Sequence, residues 1–220
     1  TKISLPKSLQ ILGVDAFAKC FNLKDVQINS DLKNTSGDTF SSIASDASVT
    51  FGEGVTRIPD YLFSNTGIAQ VNIANTVKEI GEGSFKGCTN LKKIVLPKSL
   101  KILNTNAFAK CSNLKDVQIN SDLENVGNGV FDGIASNASV TFGEGITYIP
   151  DYLFSNTSIA QVNMANTVKK IGNGSFKECN NLKVIAFSEN LETIGINAFY
   201  KKFPLQRNTL ISHGNSSSVR

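Results

Sequence analysis

Phenylalanine recurs along this chain at a nearly constant interval, and that recurrence limits the folds the chain can adopt. Nine of the 14 phenylalanines follow one another at spacings of 22 or 23 residues, at Phe17, Phe40, Phe63, Phe85, Phe108, Phe131, Phe154, Phe176 and Phe199. A fixed period of this length is typical of solenoids. One such repeat is too small to bury its own apolar edge, so repeats must stack on one another. The sequence therefore predicts a column of phenylalanine rings inside a stack of repeats.

A longer duplication is superimposed on this short period. A shift of 91 positions aligns residues 3–93 with residues 94–184, and 67 of the 91 aligned positions are identical. Each block holds four units and a last unit with Phe199 follows the second block, so residues 1–205 are expected to form one solenoid of about nine repeats. Residues 206–220 are rich in serine and other small polar residues and are expected to form a flexible C-terminal tail.

Each unit contains a short stretch in which apolar and polar residues alternate, as in Val26-Gln27-Ile28. Alternation with period 2 predicts a strand with one buried face. Turn residues such as those at 52–54 separate this strand from the next phenylalanine, and the segment around each phenylalanine allows at most one or two turns of helix. We therefore expect an α/β solenoid with one short parallel strand per repeat on one face and short helices or turns on the other. A parallel β-helix without any helix is the alternative fold.

The complete repeat carries the motif Ala/Ser-Phe-x-x-Cys-x-Asn-Leu, in the units that begin at Ala16, Ser84, Ala107 and Ser175. This motif resembles the BspA-like class of leucine-rich repeats, also known as the Treponema pallidum type. The other units depart from it, with Ile43 and Ile134 at the cysteine position and Thr66 and Thr157 near it. The resemblance covers about residues 3 to 200 and implies a leucine-rich-repeat solenoid. It also implies an adhesion or host-interaction role at a cell surface or in a secreted protein.

The composition argues against several classes of function. The net charge of +4 comes from basic residues spread along the chain, with no run longer than a pair such as Lys92-Lys93, so we expect no nucleic-acid partner. No stretch approaches the roughly 20 consecutive apolar residues of a membrane helix, and we expect no membrane insertion. The single histidine, His213, falls in the tail, and carboxylates such as Glu53 and Asp60 occur beside turn residues. We therefore expect no enzyme activity and no cofactor.

The four cysteines are interpreted chiefly as buried thiols, because Ile43 takes the same position in another unit. Cys88 and Cys111 lie in adjacent repeats and are the one pair that a disulfide could join, since its Cα atoms must lie within about 7 Å; that bridge is the alternative. The cysteines lack histidine partners and Cys-x-x-Cys spacing, so we expect no metal site.

Two surfaces are candidate binding sites. If Val26 and its equivalents point inward, alternation sends a ladder of polar residues outward on the concave face of the sheet, at Asp25, Gln27, Thr50, Asn72, Gln118, Thr141 and Asn163. The second candidate is a loop site at Tyr61 and Tyr152, although these rings can also serve to cap the core with a hydrated hydroxyl. The leading hypothesis is a module that binds a protein or glycan; the alternative is a structural spacer that presents another domain and binds no ligand of its own. The oligomeric state is left open.

Overall fold

The computed structural model of the protein describes residues 1–33 and 39–201. These residues form sixteen short strands, which in chain order are β1 (Lys2–Ser4), β2 (Asp25–Ile28), β3 (Ser48–Phe51), β4 (Arg57–Ile58), β5 (Gln70–Ile73), β6 (Glu79–Ile80), β7 (Lys93–Val95), β8 (Ile102–Leu103), β9 (Asp116–Ile119), β10 (Asn125–Val126), β11 (Ser139–Phe142), β12 (Tyr148–Ile149), β13 (Gln161–Met164), β14 (Lys170–Ile171), β15 (Val184–Ala186) and β16 (Thr193–Ile194). The strands alternate along the chain between two parallel sheets, so the molecule is a parallel β-solenoid.

Sheet 1 contains the longer strands, one per turn, and matches the strand that alternation predicts. Its strands pair in two segments, β1-β2-β3-β5 and β7-β9-β11-β13-β15, and every pair is parallel. The register places equivalent residues directly opposite one another, so that Val26 lies opposite Val49 and Val49 opposite Val71. The inward side chains therefore form continuous buried columns, as expected when each repeat covers the apolar edge of its neighbour.

Sheet 2 is a second set of strands that the sequence analysis did not predict, because it expected one strand per repeat. Its seven two-residue strands pair as β4-β6-β8-β10 and β12-β14-β16. A strand of two residues has only one inward side chain, so it cannot show an alternating pattern. Between β10 and β12 the carboxylate of Asp122 replaces a strand partner, since its Oδ1 accepts the N–H groups of Thr147 at 2.7 Å and Tyr148 at 3.0 Å.

The side that carries the phenylalanines is built from turns, and the expectation of short helices is not met in the described residues. The backbone N–H groups there bond to the next turn along the stack: Phe85 donates to Ala107 at 2.9 Å and Gly87 to Ala109 at 2.7 Å. Gly83 and Gly87 both have left-handed φ angles, of 53° and 71°, which a right-handed helix does not allow. Hydrogen bonding between turns thus takes the place of hydrogen bonding within a helix.

The predicted phenylalanine column is confirmed. The rings from Phe40 to Phe176 are fully buried, and rings of adjacent turns are stacked nearly parallel with centroids 4.7 to 6.2 Å apart. Phe17 and Phe199, in the first and last described turns, are half-buried. Phe51 and Phe142, which point inward from sheet 1, each meet two rings of the column edge to face at 6.1 or 6.2 Å. The core is therefore continuous from the first block into the second.

Candidate binding surfaces

The outer face of sheet 1 carries two columns of outward side chains, one from each outward position of its strands. Along β2, β3, β9 and β11 these outward residues alternate with inward residues that are buried. All seven residues of the predicted partner-binding face lie in these columns and are half-buried or exposed, at Asp25, Gln27, Thr50, Asn72, Gln118, Thr141 and Asn163. The structure therefore brings the predicted residues together on one surface, which we name the sheet 1 face.

Amide and hydroxyl groups dominate the sheet 1 face, and several bond to one another. Asn72 donates to the hydroxyl of Thr50 at 3.4 Å, across two neighbouring turns. Gln161 donates to the side-chain oxygen of Asn163 at 3.0 Å, and Asn163 donates to the hydroxyl of Ser139 at 3.5 Å. A side-chain amide has two donors and two acceptor lone pairs. These bonds occupy one donor each of Asn72 and Gln161, and one donor and one lone pair of Asn163. The remaining groups are free to form hydrogen bonds with a partner.

The sheet 1 face is displayed twice. The six outward residues of β2, β3 and β5 recur without change on β9, β11 and β13, although 24 of the 91 aligned positions differ between the two blocks. The two copies are related by a shift of four turns, which is about 19 Å at the usual strand spacing. A partner that spans both copies would meet the same groups in the same order.

Sheet 1 is interrupted at the junction of the two blocks, between β5 and β7. In the second block the N–H groups of Lys183 and Val184 donate to the carbonyl oxygen of Ala160 at 2.9 and 3.2 Å. Among the described residues no corresponding bond joins Lys92 or Lys93 to Ala69. A cleft of about 740 Å³ lies at this opening, lined by side chains that include Gln70, Asn72, Asn75, Lys92, Lys93, Val95, Lys98 and Asn120.

Tyr61 and Tyr152, the predicted loop site, occupy equivalent positions on the edge that follows sheet 2. Both have left-handed φ angles, of 54° and 56°, a conformation rare for a bulky side chain. The Tyr61 ring covers Gly83 of the next turn, where a Cβ would lie 2.6 Å from ring carbons. The side chain of Tyr152 is 60% exposed and that of Tyr61 is 38% exposed. The rings thus pack over glycines, and they lie on a different surface from the sheet 1 face.

The two tyrosines differ in their polar partners because the surrounding residues differ between the blocks. The Tyr61 hydroxyl donates to Glu82, and this hydrogen bond to a carboxylate raises the pKa of Tyr61. The residue equivalent to Glu82 in the second block is Asn173, so Tyr152 lacks that carboxylate partner. The two positions of the loop site therefore have the same place in the repeat but different chemistry, since only Tyr61 bonds to a glutamate.

A second aromatic group stands beside Tyr152, at a position that is arginine in the first block. The Tyr148 hydroxyl donates to Asp151 at 2.6 Å, and Lys170 Nζ lies 5.1 Å from the centre of the Tyr148 ring. Partial burial and the bond to Asp151 raise the pKa of Tyr148 to about 12. The same bond lowers the pKa of Asp151. Both groups therefore keep their ordinary charge states at neutral pH, with Tyr148 neutral and Asp151 ionised. Their hydrogen bond and the nearby Lys170 link polar side chains at the surface.

The cysteine positions form part of the core, as expected for buried thiols. Cys88, Cys111 and Cys179 are fully buried, and the thiols of Cys88 and Cys111 donate to the carbonyl oxygens of Phe63 and Phe85, both at 3.1 Å. Thr66 takes the cysteine position of its own turn, with its hydroxyl 3.6 Å from Cys88 Sγ. Burial raises the pKa of Cys179 to about 11, which keeps this thiol protonated at neutral pH. Cys20, in the first turn, is half-buried.

Neither a metal centre nor a bilayer-spanning helix occurs in the part of the chain that the structure describes. No cluster of three or more potential metal-binding side chains is present there. No helix in residues 1–33 or 39–201 has the length and apolarity to cross a membrane. His213 and the predicted tail at 206–220 lie outside the described residues.

Sequence reasoning missed two features of these surfaces, sheet 2 and the opening in sheet 1. Proline supplied a signal for the second, since Pro97 immediately follows Leu96 at the end of a predicted strand and has no N–H to donate to the preceding turn. Residues at the same place in two other turns of the first block do donate: Gly52 bonds to Ile28 at 2.9 Å and Ala74 to Phe51 at 3.0 Å.

Comparison with known proteins agrees with this geometry. The description "BspA type Leucine rich repeat region" matches residues 1–115 and 101–217, with six copies. Solved structures with the same fold include a leucine-rich repeat protein from Bacteroides ovatus (23% identity, TM-score 0.62, covering 91% of this chain and 58% of that one). Another, from Eubacterium ventriosum, is 22% identical, with a TM-score of 0.64 and coverage of 97% and 62%.

A third solved structure is the T. pallidum leucine-rich repeat protein, which is 20% identical with a TM-score of 0.53, over 94% of this chain and 79% of that one. The chain spans 58% and 62% of the length of the first two structures. No curated protein matches it. These structural likenesses show the fold alone, whereas the repeat description matches more than half of the residues. The chain belongs to the BspA-type leucine-rich repeat family.

Proposed function

We propose that this chain is a non-enzymatic binding module of a cell-surface or secreted protein and that it holds a protein or glycan partner on the sheet 1 face. The observation that carries the proposal is the unchanged recurrence of the same six outward residues in both blocks, on a surface dominated by amide and hydroxyl groups. Amide and hydroxyl groups suit hydrogen bonding to peptide groups and to sugar hydroxyls. The strands hold these groups in fixed register, which lowers the entropy that binding costs.

A location at the cell surface or outside the cell, with a role in adhesion or host interaction, is part of the same proposal. It is supported by membership of the BspA-type family. The likeness of this chain to that family implies a role in adhesion or host interaction. A further structure of this fold, 18% identical with a TM-score of 0.50, is the pneumococcal vaccine antigen PcpA. That description belongs to PcpA.

The test is the simultaneous replacement of Gln27, Asn72, Gln118 and Asn163 by alanine. The unchanged protein is first screened against glycans and matrix proteins to identify a partner. We expect the fourfold variant to bind that partner at least tenfold more weakly, about what the loss of one or two good hydrogen bonds would cause. Its melting temperature should change little, since these side chains point away from the core.

The matched control replaces four exposed residues outside the sheet 1 face by alanine, at Ser45, Ser112, Ser136 and Asn180. It should retain full affinity. Equal affinity of the sheet 1 variant and the unchanged protein would remove the sheet 1 face from consideration. A bound metal or cofactor in the purified protein would contradict the non-enzymatic part of the proposal.

A structural spacer is the second candidate function. The observation that favours it is the continuous ring column, which crosses the block junction with Phe85 and Phe108 stacked at 5.2 Å. A rigid rod of this kind can hold another domain at a distance without binding anything itself. The spacer predicts that the chain binds nothing in the glycan and matrix-protein screen, whereas the binding module predicts a saturable partner.

A further inference from the structure

We propose that the cleft between β5 and β7 is a binding site for an acidic glycan, with Lys92, Lys93 and Lys98 holding its sulfate or carboxylate groups. The cleft opens on the sheet 1 face, so this inference rests on the proposed function and names the partner class for it. Its volume of about 740 Å³ is within the usual range of ligand pockets. The cleft is the one place where the described part of sheet 1 exposes unpaired strand edges in its middle.

A proline follows β7 at the edge of the opening. Pro97 has no N–H to offer the preceding turn, at a position where Gly52, Ala74 and Gly143 each donate one. In the closed counterpart, β13 and β15 pair through Gln161 to Asn163, and Ser188 takes the place of the proline. The proline is thus one residue that distinguishes the open junction from its closed copy.

The opening is a shallow wedge rather than a slot for a further strand. On the other side of the same two turns, β6 and β8 remain paired, with Glu79 opposite Ile102 and Ile80 opposite Leu103. Phe85 and Phe108 also remain stacked in the core. An inserted peptide strand needs neighbours about 10 Å apart, twice the strand spacing, which these contacts do not allow. Side groups of a partner can enter the wedge, but a whole peptide strand cannot.

Positive charge is concentrated at this wedge. Lys92, Lys93 and Lys98 are exposed, and none of them forms a salt bridge within the described residues. Asp116 lies opposite Lys93 in the register of β7 and β9, yet the pair is not within salt-bridge distance. The equivalent residues of the closed counterpart are Lys183, Val184 and Glu189, whose formal charges cancel. The cleft therefore favours an anionic ligand, and its copy does not.

Amide groups surround these lysines and favour a sugar over a simple anion. Gln70, Asn72, Asn75 and Asn120 line the same cleft. Asn75 Oδ1 accepts the backbone N–H of Lys98 at 3.2 Å, and Asn120 Nδ2 donates to the carbonyl oxygen of Leu96 at 3.1 Å. The side-chain amide of Gln70 forms no hydrogen bond with other described residues, although its backbone N–H donates to Ala47. An amide offers donors and acceptors side by side, as neighbouring sugar hydroxyls require. Lysine supplies the charge and the amides supply the hydroxyl contacts.

The test measures the affinity of the full chain for size-defined oligosaccharides by titration calorimetry at physiological ionic strength. The probes are a sulfated heparin oligosaccharide, a hyaluronan oligosaccharide with carboxylates alone, and neutral dextran, with inorganic sulfate, polyglutamate and a DNA oligonucleotide for comparison. We expect at least one acidic oligosaccharide to bind with one-to-one stoichiometry, and dextran and inorganic sulfate to bind at least tenfold more weakly.

The decisive variant combines Lys93→Val with Lys98→Glu, which installs the residues of the closed counterpart. We expect its affinity for the acidic oligosaccharide to fall about tenfold or more, because the charge at residue 93 is removed and the charge at residue 98 is reversed. The control combines Lys78→Val with Lys7→Glu, two exposed residues outside the cleft, and changes the net charge by the same amount. It should stay within about twofold of the unchanged protein.

Four results would overturn the inference: no acidic oligosaccharide binds, the cleft variant keeps its affinity, both double variants lose affinity equally, or DNA or polyglutamate binds as tightly as the glycan. None of them removes the proposed function. One result separates the two proposals: a partner that no longer binds the fourfold sheet 1 variant but still binds the cleft variant. That result would support the binding module and refute the acidic-glycan site in the cleft.

Discussion

Individual side chains contribute to this fold through the neighbours that the stack gives them. Phe108 and Phe21 show the contrast, since the first is fully buried between two parallel rings and the second is 66% exposed. The duplication supplies a natural comparison, because Ser112 occupies the place of Phe21 in the second block. The effect of a phenylalanine on stability should therefore depend on its place in the repeat rather than on its type.

Replacement of Phe108 by alanine should lower the free energy of unfolding by about 3–5 kcal/mol, because the neighbouring rings cannot close the void. Phe21→Ser, the control, should change it by less than about 0.5 kcal/mol. Urea unfolding followed by circular dichroism measures both. Similar small effects from the two substitutions would mean that the ring column does not stabilise the protein.

The carboxylate of Asp31 links two turns as Asp122 does in the second block, by accepting the N–H groups of Thr56 at 2.6 Å and Arg57 at 3.0 Å. Partial burial raises its pKa, but the bonds from the Thr56 hydroxyl and these N–H groups outweigh that effect and leave the pKa below 3.8. A lowered folded-state pKa means that the ionised form stabilises the fold above pH 3.8 and that this stabilisation is lost as the pH falls through the folded value.

Asp31→Asn should therefore destabilise the protein by about 1–2 kcal/mol at neutral pH, as for the loss of hydrogen bonds to a charged group. The difference from the unchanged protein should shrink once the pH falls below 3.8. Unfolding measured across this pH range tests the sign. Asp46→Asn, which removes an exposed ion pair with Lys24, is the control and should have a smaller effect. A difference that does not vary with pH would contradict the assigned role of the charge.

At the scale of elements, the two kinds of strand differ in what holds them. The strands of sheet 1 carry two inward side chains in most turns, whereas those of sheet 2 carry one and rely on backbone bonds and bridging carboxylates. The interruption at Pro97 is tolerated because sheet 2 and the ring column still join the turns. One sheet can therefore be interrupted between two turns while the turns stay joined by the other sheet and the core.

Hydrogen exchange should reveal the opening directly. The amide hydrogens of Lys92 and Lys93 have no acceptor in the preceding turn, whereas those of Lys183 and Val184 bond to Ala160. We expect the first pair to exchange at least tenfold faster than the second under native conditions. Residue-resolved exchange by nuclear magnetic resonance measures both pairs in one sample. Equal protection would show that β5 and β7 are paired in solution.

At the scale of the whole molecule, the two blocks form one body. Their junction is crossed by the hydrogen bond from Phe85 to Ala107 and by the stack of Phe85 on Phe108 at 5.2 Å, the distance that also separates Phe17 from Phe40 within the first block. Repeat proteins of this kind gain stability from nearest-neighbour interfaces. Sheet 1 is open at this junction, but sheet 2 and the ring column join the two halves there.

Thermal unfolding should accordingly follow a single transition in calorimetry, with equal calorimetric and van't Hoff enthalpies. Phe108→Ala, beside the junction, should shift that transition as a whole. Two resolved transitions, of which only one responds to the substitution, would show that the blocks unfold independently.

The sequence by itself determined the period, the ring column and the outward residues of sheet 1. These features follow from spacing along the chain: a 23-residue period brings each phenylalanine over the last, and alternation sorts neighbouring side chains to opposite faces. The motif that begins at Ala107-Phe108 resembles that of the BspA-like class, and the family match confirms the resemblance.

Only the tertiary structure decided which backbone groups find partners in the next turn. Sheet 2, the carboxylate bridge of Asp122, the absence of helix in the described residues and the cleft beside Pro97 all depend on contacts between residues some 20 or more positions apart. Short strands and turns leave too little local pattern to specify those contacts. The same holds for the lining of the cleft, where Gln70 of one turn meets Lys93 and Lys98 of the next because the stack brings the two turns together.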